Sequence, residues 1–211
     1  NPLTSIVAYA EYLLQKAERC GNDAEDVERL RRVGEAAELI LSYTRAIISY
    51  AKPDDDVPCP VDVSQVIDQS LLFCKHLVDD AKVSVVRDVE GAPVVRVVRT
   101  QLIQVIVNLV ANACQAMAPQ GGILTLSARV ESADDMVRIQ VDDTGPGIDP
   151  ENMDRVFDLF FTTKAEGIGT GLGLNIVRQI VSKGHGTVSV ESSPGKGASF
   201  VVMLPEYLED P

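Results

Sequence analysis

The sequence predicts an α+β protein in two parts, an N-terminal antiparallel helical hairpin followed by a two-layer α/β sandwich. Three observations carry that reading. Residues 3–17 and about 25–51 repeat apolar side chains at the three-and-four spacing of a helix face. The stretch Lys52-Pro53-Asp54-Asp55-Asp56-Val57-Pro58-Cys59-Pro60 then breaks the pattern with the polar, proline-punctuated composition of a domain boundary. Beyond it, helical periodicities and period-two runs share one segment, which suits helices packed on one side of a sheet. The expected division is therefore 1–52 hairpin, 53–60 linker and 61–208 sandwich.

In the first helix Leu3, Ile6, Val7, Ala10, Leu13, Leu14 and Ala17 share a face, and Gly21-Asn22-Asp23 supplies the stop. The second carries Val27, Leu30, Val33, Ala37, Ile40, Ile47 and Ile48 on a broad face, with Glu28, Arg31, Arg32 and Glu35 elsewhere. A lone hairpin cannot bury both apolar faces, so pairing with a second copy into a four-helix bundle is the economical solution. After the linker, Ser64 is the expected cap of a helix bearing Val66, Ile67, Leu71, Cys74, Leu77 and Val78, and Val83, Val85 and Val89 alternate as in a strand. Thr100 is the expected cap of a helix running to Met117. Strands follow at Ile123 to Val130 and Met136 to Val141, then a short helix near Glu151 to Phe157 and a longer one from Leu172 to Lys183. Thr187 to Glu191 and Ser199 to Leu204 complete the sheet.

At 211 residues and 45% hydrophobic content, the chain can build a packed core. A formal charge of -12 and a pI near 4.6 argue against nucleic acid and anionic membrane as partners, because those surfaces need Lys and Arg to displace counterions. Any bound phosphate must be held locally, by backbone amides and a metal. Cys20, Cys59, Cys74 and Cys114 lack metal-ligand spacing and read as reduced thiols of a cytoplasmic protein. The most apolar stretch, Leu102 to Met117, is broken by Gln104, Asn108, Asn112 and Gln115, so no membrane span is expected. The opening Asn1-Pro2, without an initiator Met, reads as a fragment whose upstream part carries a sensor or membrane anchor.

Chemistry concentrates in the second part. The helix from Gln101 to Met117 has no charged residue, yet Gln101, Gln104, Asn108, Asn112 and Gln115 form one ridge at spacings of three, four, four and three. Amide oxygens on a rigid helix can ligate Mg²⁺ or bond phosphates without burying a charge; the alternative is a polar stripe touching solvent or a neighbouring loop. Asp143 closes a strand pattern, where its carboxylate can accept a hydrogen bond from the exocyclic amine of adenine, and Gly145 and Gly147 let the chain turn beneath the base. Taken alone, that Asp-x-Gly-x-Gly run is equally a turn signal.

Gly167, Gly169, Gly171 and Gly173 precede an apolar helix without a capping residue, so backbone amides there can face an anion; a hinge without ligand is the alternative. A dinucleotide-binding turn is excluded because residues 160–167 form a polar loop and no strand leads into the glycines. A P-loop is excluded because Gly195-Lys196-Gly197 lacks its pattern. Between the motifs, Phe157 is expected to anchor its loop to the core. Phe160 and Phe161 could anchor a lid to a second surface, and Lys164 could reach phosphate as a point charge.

In this order the segments resemble the sensor histidine kinases of two-component signalling, within the ATPase superfamily that includes gyrase and heat-shock chaperones. Asn108-x-x-x-Asn112 is similar to the N box, Asp143-Thr144-Gly145-Pro146-Gly147 to the G1 box, residues 157–164 to the F box, and Gly169-Thr170-Gly171-Leu172-Gly173-Leu174 to the G2 box. Gly195-Lys196-Gly197-Ala198-Ser199-Phe200 resembles the closing glycine motif, and Phe-Phe-Thr-Thr-Lys with Asn-Ala-Cys-Gln-Ala resembles the nitrogen-regulatory branch. The resemblance implies an ATP-binding α/β sandwich in which Asn112 ligates Mg²⁺, Asp143 reads adenine, and Gly169, Thr170, Gly171, Leu172, Gly173 and Leu174 open the helix that contacts phosphates. Gln115 stands where many members carry a basic residue, so no phosphate contact is assigned to it.

Asn1-Pro2-Leu3 resembles the tail of the phosphoacceptor signature, which implies a substrate His just upstream of Asn1. Asn1 itself would sit where the family orients water to dephosphorylate its partner. The histidines present, His76 and His185, match no acceptor position. The resemblance therefore implies a protein-histidine kinase core that binds ATP and Mg²⁺ and dimerises through residues 3–51. It would phosphorylate the upstream His and pass the group to an Asp on a response regulator receiver domain, while the 211-residue chain alone would not label itself. The competing class is a nucleotide-sensing or scaffold module without kinase activity; acid-labile phosphate on a chain with its upstream segment restored separates the two.

Overall fold

The structure, a computed structural model, describes residues 12, 13, 15–17, 26, 27, 30, 33, 57–91, 93–131, 134–164 and 171–208. The chain divides into two compact units, Asn1–Pro53 with Phe160–Gly171, and Asp54–Leu159 with Leu172–Pro211. In the first, the described residues from Tyr12 to Val33 are helical. The expected pairing of two hairpin helices, and Asn1 with it, lies outside the described residues.

The second unit is α+β with a mixed sheet. Its strands are β1 (Cys59–Asp62), β2 (Val83–Val89), β3 (Val94–Val97), β4 (Gly122–Glu131), β5 (Met136–Asp143), β6 (Thr187–Ser192) and β7 (Ala198–Pro205). Its helices are α1 (Val63–Phe73), α2 (Lys75–Asp80), α3 (Arg99–Met117) and α4 (Gly173–Lys183), with a 3-10 turn at Pro150–Arg155. The five-stranded sheet runs β2-β4-β5-β7-β6, antiparallel except for the β2–β4 pair. A parallel pair needs a crossover, and α3 lies within it.

Strand alternation decides what the sheet faces. Along β5, Val137, Ile139 and Val141 are buried toward the core, while Arg138, Gln140 and Asp142 stand on the other face. There the Gln140 side chain accepts from Arg138 and donates to Asp142 and to Ser199 Oγ. Helix α3 buries Leu102, Val105, Ile106, Leu109, Val110, Ala113, Cys114 and Met117 in the same core.

Several local expectations are corrected. The cap of α1 is Asp62, whose carboxylate accepts from the backbone N–H of Ser64 and Gln65, a cap worth about 1 kcal/mol; Ser64 lies inside the first turn. Helix α3 begins at Arg99 behind Val98, without a side-chain cap, so Thr100 is also internal. The single helix expected through Val78 breaks at Cys74 into α1 and α2. Cys59 and Pro60, read as linker, belong to β1, which pairs antiparallel with β3 in a separate two-stranded sheet. The first residues of a strand can accommodate Pro at such an edge.

Cys74 and Cys114 are buried and free, and Cys59 is exposed. Burial, with Cys114 nearby, pushes the Cys74 thiol up to about 11, so it stays protonated and inert at neutral pH. Among the described residues no helix is long and apolar enough to cross a membrane.

Candidate nucleotide site

Asp143 is the last residue of β5 and continues the core-facing parity of Val137, Ile139 and Val141, so a carboxylate stands where the next apolar side chain would be. It is 9% exposed. Its Oδ1 accepts from the N–H groups of Gly145 at 2.8 Å and Ala198 at 3.3 Å, and among the described residues no hydrogen bond reaches Oδ2. Burial raises the Asp143 pKa; the Gly145 and Ala198 amides counter it, and the neighbouring Asp142 adds to the rise. A partly desolvated carboxylate with one committed oxygen and one open oxygen is suited to accept from a ligand amine.

The glycines around it are steric requirements. A Cβ on Gly145 would stand 2.8 Å from Asp143 Oδ1, 3.4 Å from Met117 Cγ and 3.5 Å from Ala116 Cβ, so a side chain there would displace the turn from α3. Gly147 has φ +77°, and its Cβ would overlap the carbonyl oxygen of Ser193. Gly197, at φ +78°, would overlap the carbonyl oxygen of Asp143. The 144–147 turn thus lies against the β6–β7 turn. Gly195 N–H donates to Pro146 O at 2.7 Å, and Ser192 Oγ accepts from Ile148 N–H at 2.9 Å while donating to Gly197 O at 2.6 Å. Ser192 was not singled out by the sequence; its role comes from a contact across 44 residues that no local pattern encodes.

The second cluster lies on α3 and α4. Gly173 opens α4, and its Cβ position is 3.6 Å from Asn108 Oδ1 and 3.9 Å from Asn112 Nδ2. Any side chain at Gly173 would enter the space between the helix mouth and these two amides. Asn108 Nδ2 is buried without a hydrogen-bond partner, and Leu172, the N-cap of α4, makes no side-chain cap. A buried orphan donor beside an uncapped helix mouth fits an anionic group.

Both clusters share α3. Asn108, Asn112 and Ala116 lie one turn apart, about 6 Å per step, so the amide pair and the Gly145–Asp143 turn border one stretch of a single helix. A cavity of about 280 Å³ also lies near Asp143, but Asp142, Glu191 and Ser199 place it on the sheet face turned away from the helices.

Of the other expected site residues, Leu172 and Leu174 lie at the start of α4. Gly169 and Thr170 lie outside the described residues. Gly171 and Lys164 belong to the other compact unit, where Gly171 O accepts from Phe160 N–H at 3.0 Å and burial lowers the Lys164 pKa. Phe157 meets Phe200 edge to face at 6.4 Å, the anchor expected of it. Phe160 is 66% exposed with φ +65°. His76 pairs with Asp80 on the exposed surface of α2, and His185 occupies a positive-φ turn.

A two-layer α+β fold with an acid-glycine turn at one end of a helix and paired asparagines facing a glycine helix mouth defines an ATP-binding domain. Residues 97–208, more than half the chain, match the family described as histidine kinase-, DNA gyrase B- and HSP90-like ATPase, and the chain belongs to that family. Its relatives are sensor histidine kinases. It is 32% identical to the sensor histidine kinase ZraS of Escherichia coli K12 over 97% of this chain and 43% of ZraS. It is 31% identical to the sensor kinase CckA of Brucella abortus over 100% of this chain and 23% of CckA. The chain thus spans less than half the length of these relatives. Among solved structures, full-length ShkA in complex with AMPPNP superposes with TM-score 0.73 at 25% identity, covering 100% of this chain and 44% of that one. The mycobacterial sensor histidine kinase MprB gives 0.62 at 28% identity over 71% and 98%.

Proposed function

We propose that this chain is the ATP-binding catalytic core of a sensor histidine kinase, which transfers the γ-phosphoryl group of ATP to a histidine upstream of Asn1 and thence to an aspartate of a response regulator receiver domain. The observation that carries the reading is the placement of Gly173 against Asn108 and Asn112, within two turns of α3 from the turn that holds Asp143. Asp143 Oδ2 accepts from the adenine amine, and the Gly145–Gly147 turn leaves room for the base. Asn108 Nδ2 donates to a phosphate oxygen at the mouth of α4.

Asn112 supplies an amide oxygen to Mg²⁺, a hard cation that takes such ligands together with phosphate oxygens. Among the described residues no group of three or more His, Cys, Asp or Glu could hold a metal, so the nucleotide would complete the coordination. Bound Mg²⁺ neutralises charge on the phosphates; the protein's own part is to bind and orient. By the family resemblance Lys164 and the Gly169–Gly171 segment would contribute to nucleotide binding, and residues 3–51 would form the dimer bundle that presents the acceptor histidine, with Asn1 placed to orient water for hydrolysis of the receiver's aspartyl phosphate.

Calorimetric titration of the 211-residue chain with Mg·ATP and Mg·ADP tests this reading. Saturable binding of both is expected, and absence of binding at millimolar nucleotide contradicts it. A chain restored at its N-terminus is expected to incorporate acid-labile phosphate from labelled ATP.

A further inference from the structure

We infer that Asn175 is a positioning residue that holds the phosphate-facing mouth of α4 in register with the adenine-reading end of the site. The inference rests on the nucleotide reading above. Asn175 is the third residue of α4, two past Gly173, and only 7% exposed. An Asn in a helix's first turn commonly turns back on nearby backbone groups. Here it reaches off the helix, and Nδ2 donates to the carbonyl oxygen of Phe157 at 3.0 Å, across 18 residues. Its Oδ1 accepts from Gln179 Nε2 at 2.9 Å, one turn further along α4. The two bonds fix the amide's orientation, because the reversed amide would set oxygen against oxygen at Phe157 and donor against donor at Gln179.

The bond to Phe157 leads toward the base end. The Phe157 ring packs edge to face on Phe200, which pairs with Val141 in the sheet register. Two residues before Phe200, the N–H of Ala198 donates to Asp143 Oδ1. The same α4 turn brings Gly173 to Asn108 and Asn112. A short chain of contacts thus joins the two ends of the site, and the Asn175 amide supplies its link from α4 to the Phe157 carbonyl. Leu or Val at 175 would fill the space but remove the donor to the Phe157 carbonyl and leave α4 free to shift.

The test uses the full chain, with Mg·ATP binding followed by calorimetry and adenosine binding by ligand-detected NMR. Asn175→Asp keeps the size and the acceptor for Gln179 but sets a carboxylate oxygen against Phe157 O. Gln179→Leu removes only the bond that orients Asn175. Asn175→Asp is expected to lose about tenfold in Mg·ATP affinity and Gln179→Leu about threefold, with adenosine affinity changed less than about twofold in both. A general loss of structure would weaken both ligands together, so the split between them marks positioning of the phosphate end. Should Asn175→Asp fail to fold by thermal denaturation, Gln179→Leu decides alone. Unchanged Mg·ATP affinity in the variants, or a parallel loss of adenosine, overturns the role of Asn175 while the parent still binds. Failure of the parent to bind Mg·ATP overturns the kinase reading and the inference with it.

Discussion

The carboxylate of Asp143 accepts the backbone N–H of Gly145, two residues ahead of it, at 2.8 Å, and this bond settles which oxygen is left for a ligand. The strand ends, the chain turns back under Ala116 and Met117, and the acid that closes the strand holds the turn through Oδ1. In the proposed nucleotide complex, Oδ2 is thereby the oxygen left for the base.

Asp143→Asn is expected to lower Mg·ATP and Mg·ADP affinity by about ten- to a hundredfold, as when a buried bond is replaced by an unpaired group. The amide can keep Oδ1 toward Gly145 only by presenting its NH₂ to the base amine, donor against donor. Calorimetry on the folded variant checks this, and unchanged affinity removes Asp143 from the base site.

The same substitution makes an opposite prediction for the free protein. Burial raises the Asp143 pKa above the ordinary carboxylate value of 3.8. For an acid raised on folding, the folded state holds the proton more tightly, so stability declines as pH rises through the window between the two values. The cost is fully present above the folded pKa and vanishes below the unfolded one. Asp143→Asn should therefore be at least as stable as the parent at pH 7, with the gap closing as pH falls toward 3.8, read from denaturant midpoints across a pH series.

Asn108→Leu should separate binding from stability in a similar way. It removes a buried donor that has no partner in the free protein, so the thermal midpoint is expected to hold or rise. Nucleotide affinity should fall by about tenfold or more, because that donor is the one assigned to phosphate. A large loss of stability would mean that Asn108 serves the fold.

Gly197→Ala is expected to destabilise by more than about 1 kcal/mol, since φ of +78° is strained for alanine and the added methyl would overlap the Asp143 carbonyl. Gly195→Ala, at φ +75° but in open space, should lose less. Urea midpoints give the comparison, and equal losses would show that backbone strain alone, without the Asp143 contact, governs this turn.

How much of this was legible in the sequence depends on how local the signal is. The strand alternation from Met136 to Val141 and the helix ending at Met117 appear in the structure as read, because period and burial are the same fact seen twice. The site glycines were legible because only glycine fits at Gly147 or under Asp143. Three kinds of feature were not. Capping by Asp62 and the break at Cys74 turn on backbone geometry within a single turn, where Ser64 looked as suitable a cap. The β1–β3 pair hid in a proline-rich stretch because its partner lies over 30 residues away and only tertiary pairing defines it. Ser192 and Asn175 are polar residues at ordinary places in a strand and a helix, and their bonds to Ile148 and Phe157 arise from the approach of distant segments.

The most direct measurement is a crystal structure of the chain with Mg²⁺ and a non-hydrolysable ATP analogue. The adenine amine is expected within hydrogen-bond distance of Asp143 Oδ2 and the phosphates beside Asn108 and Gly173, with the metal on the Asn112 amide oxygen. A nucleotide bound elsewhere, or one touching the asparagines while leaving Asp143 empty, would contradict the account.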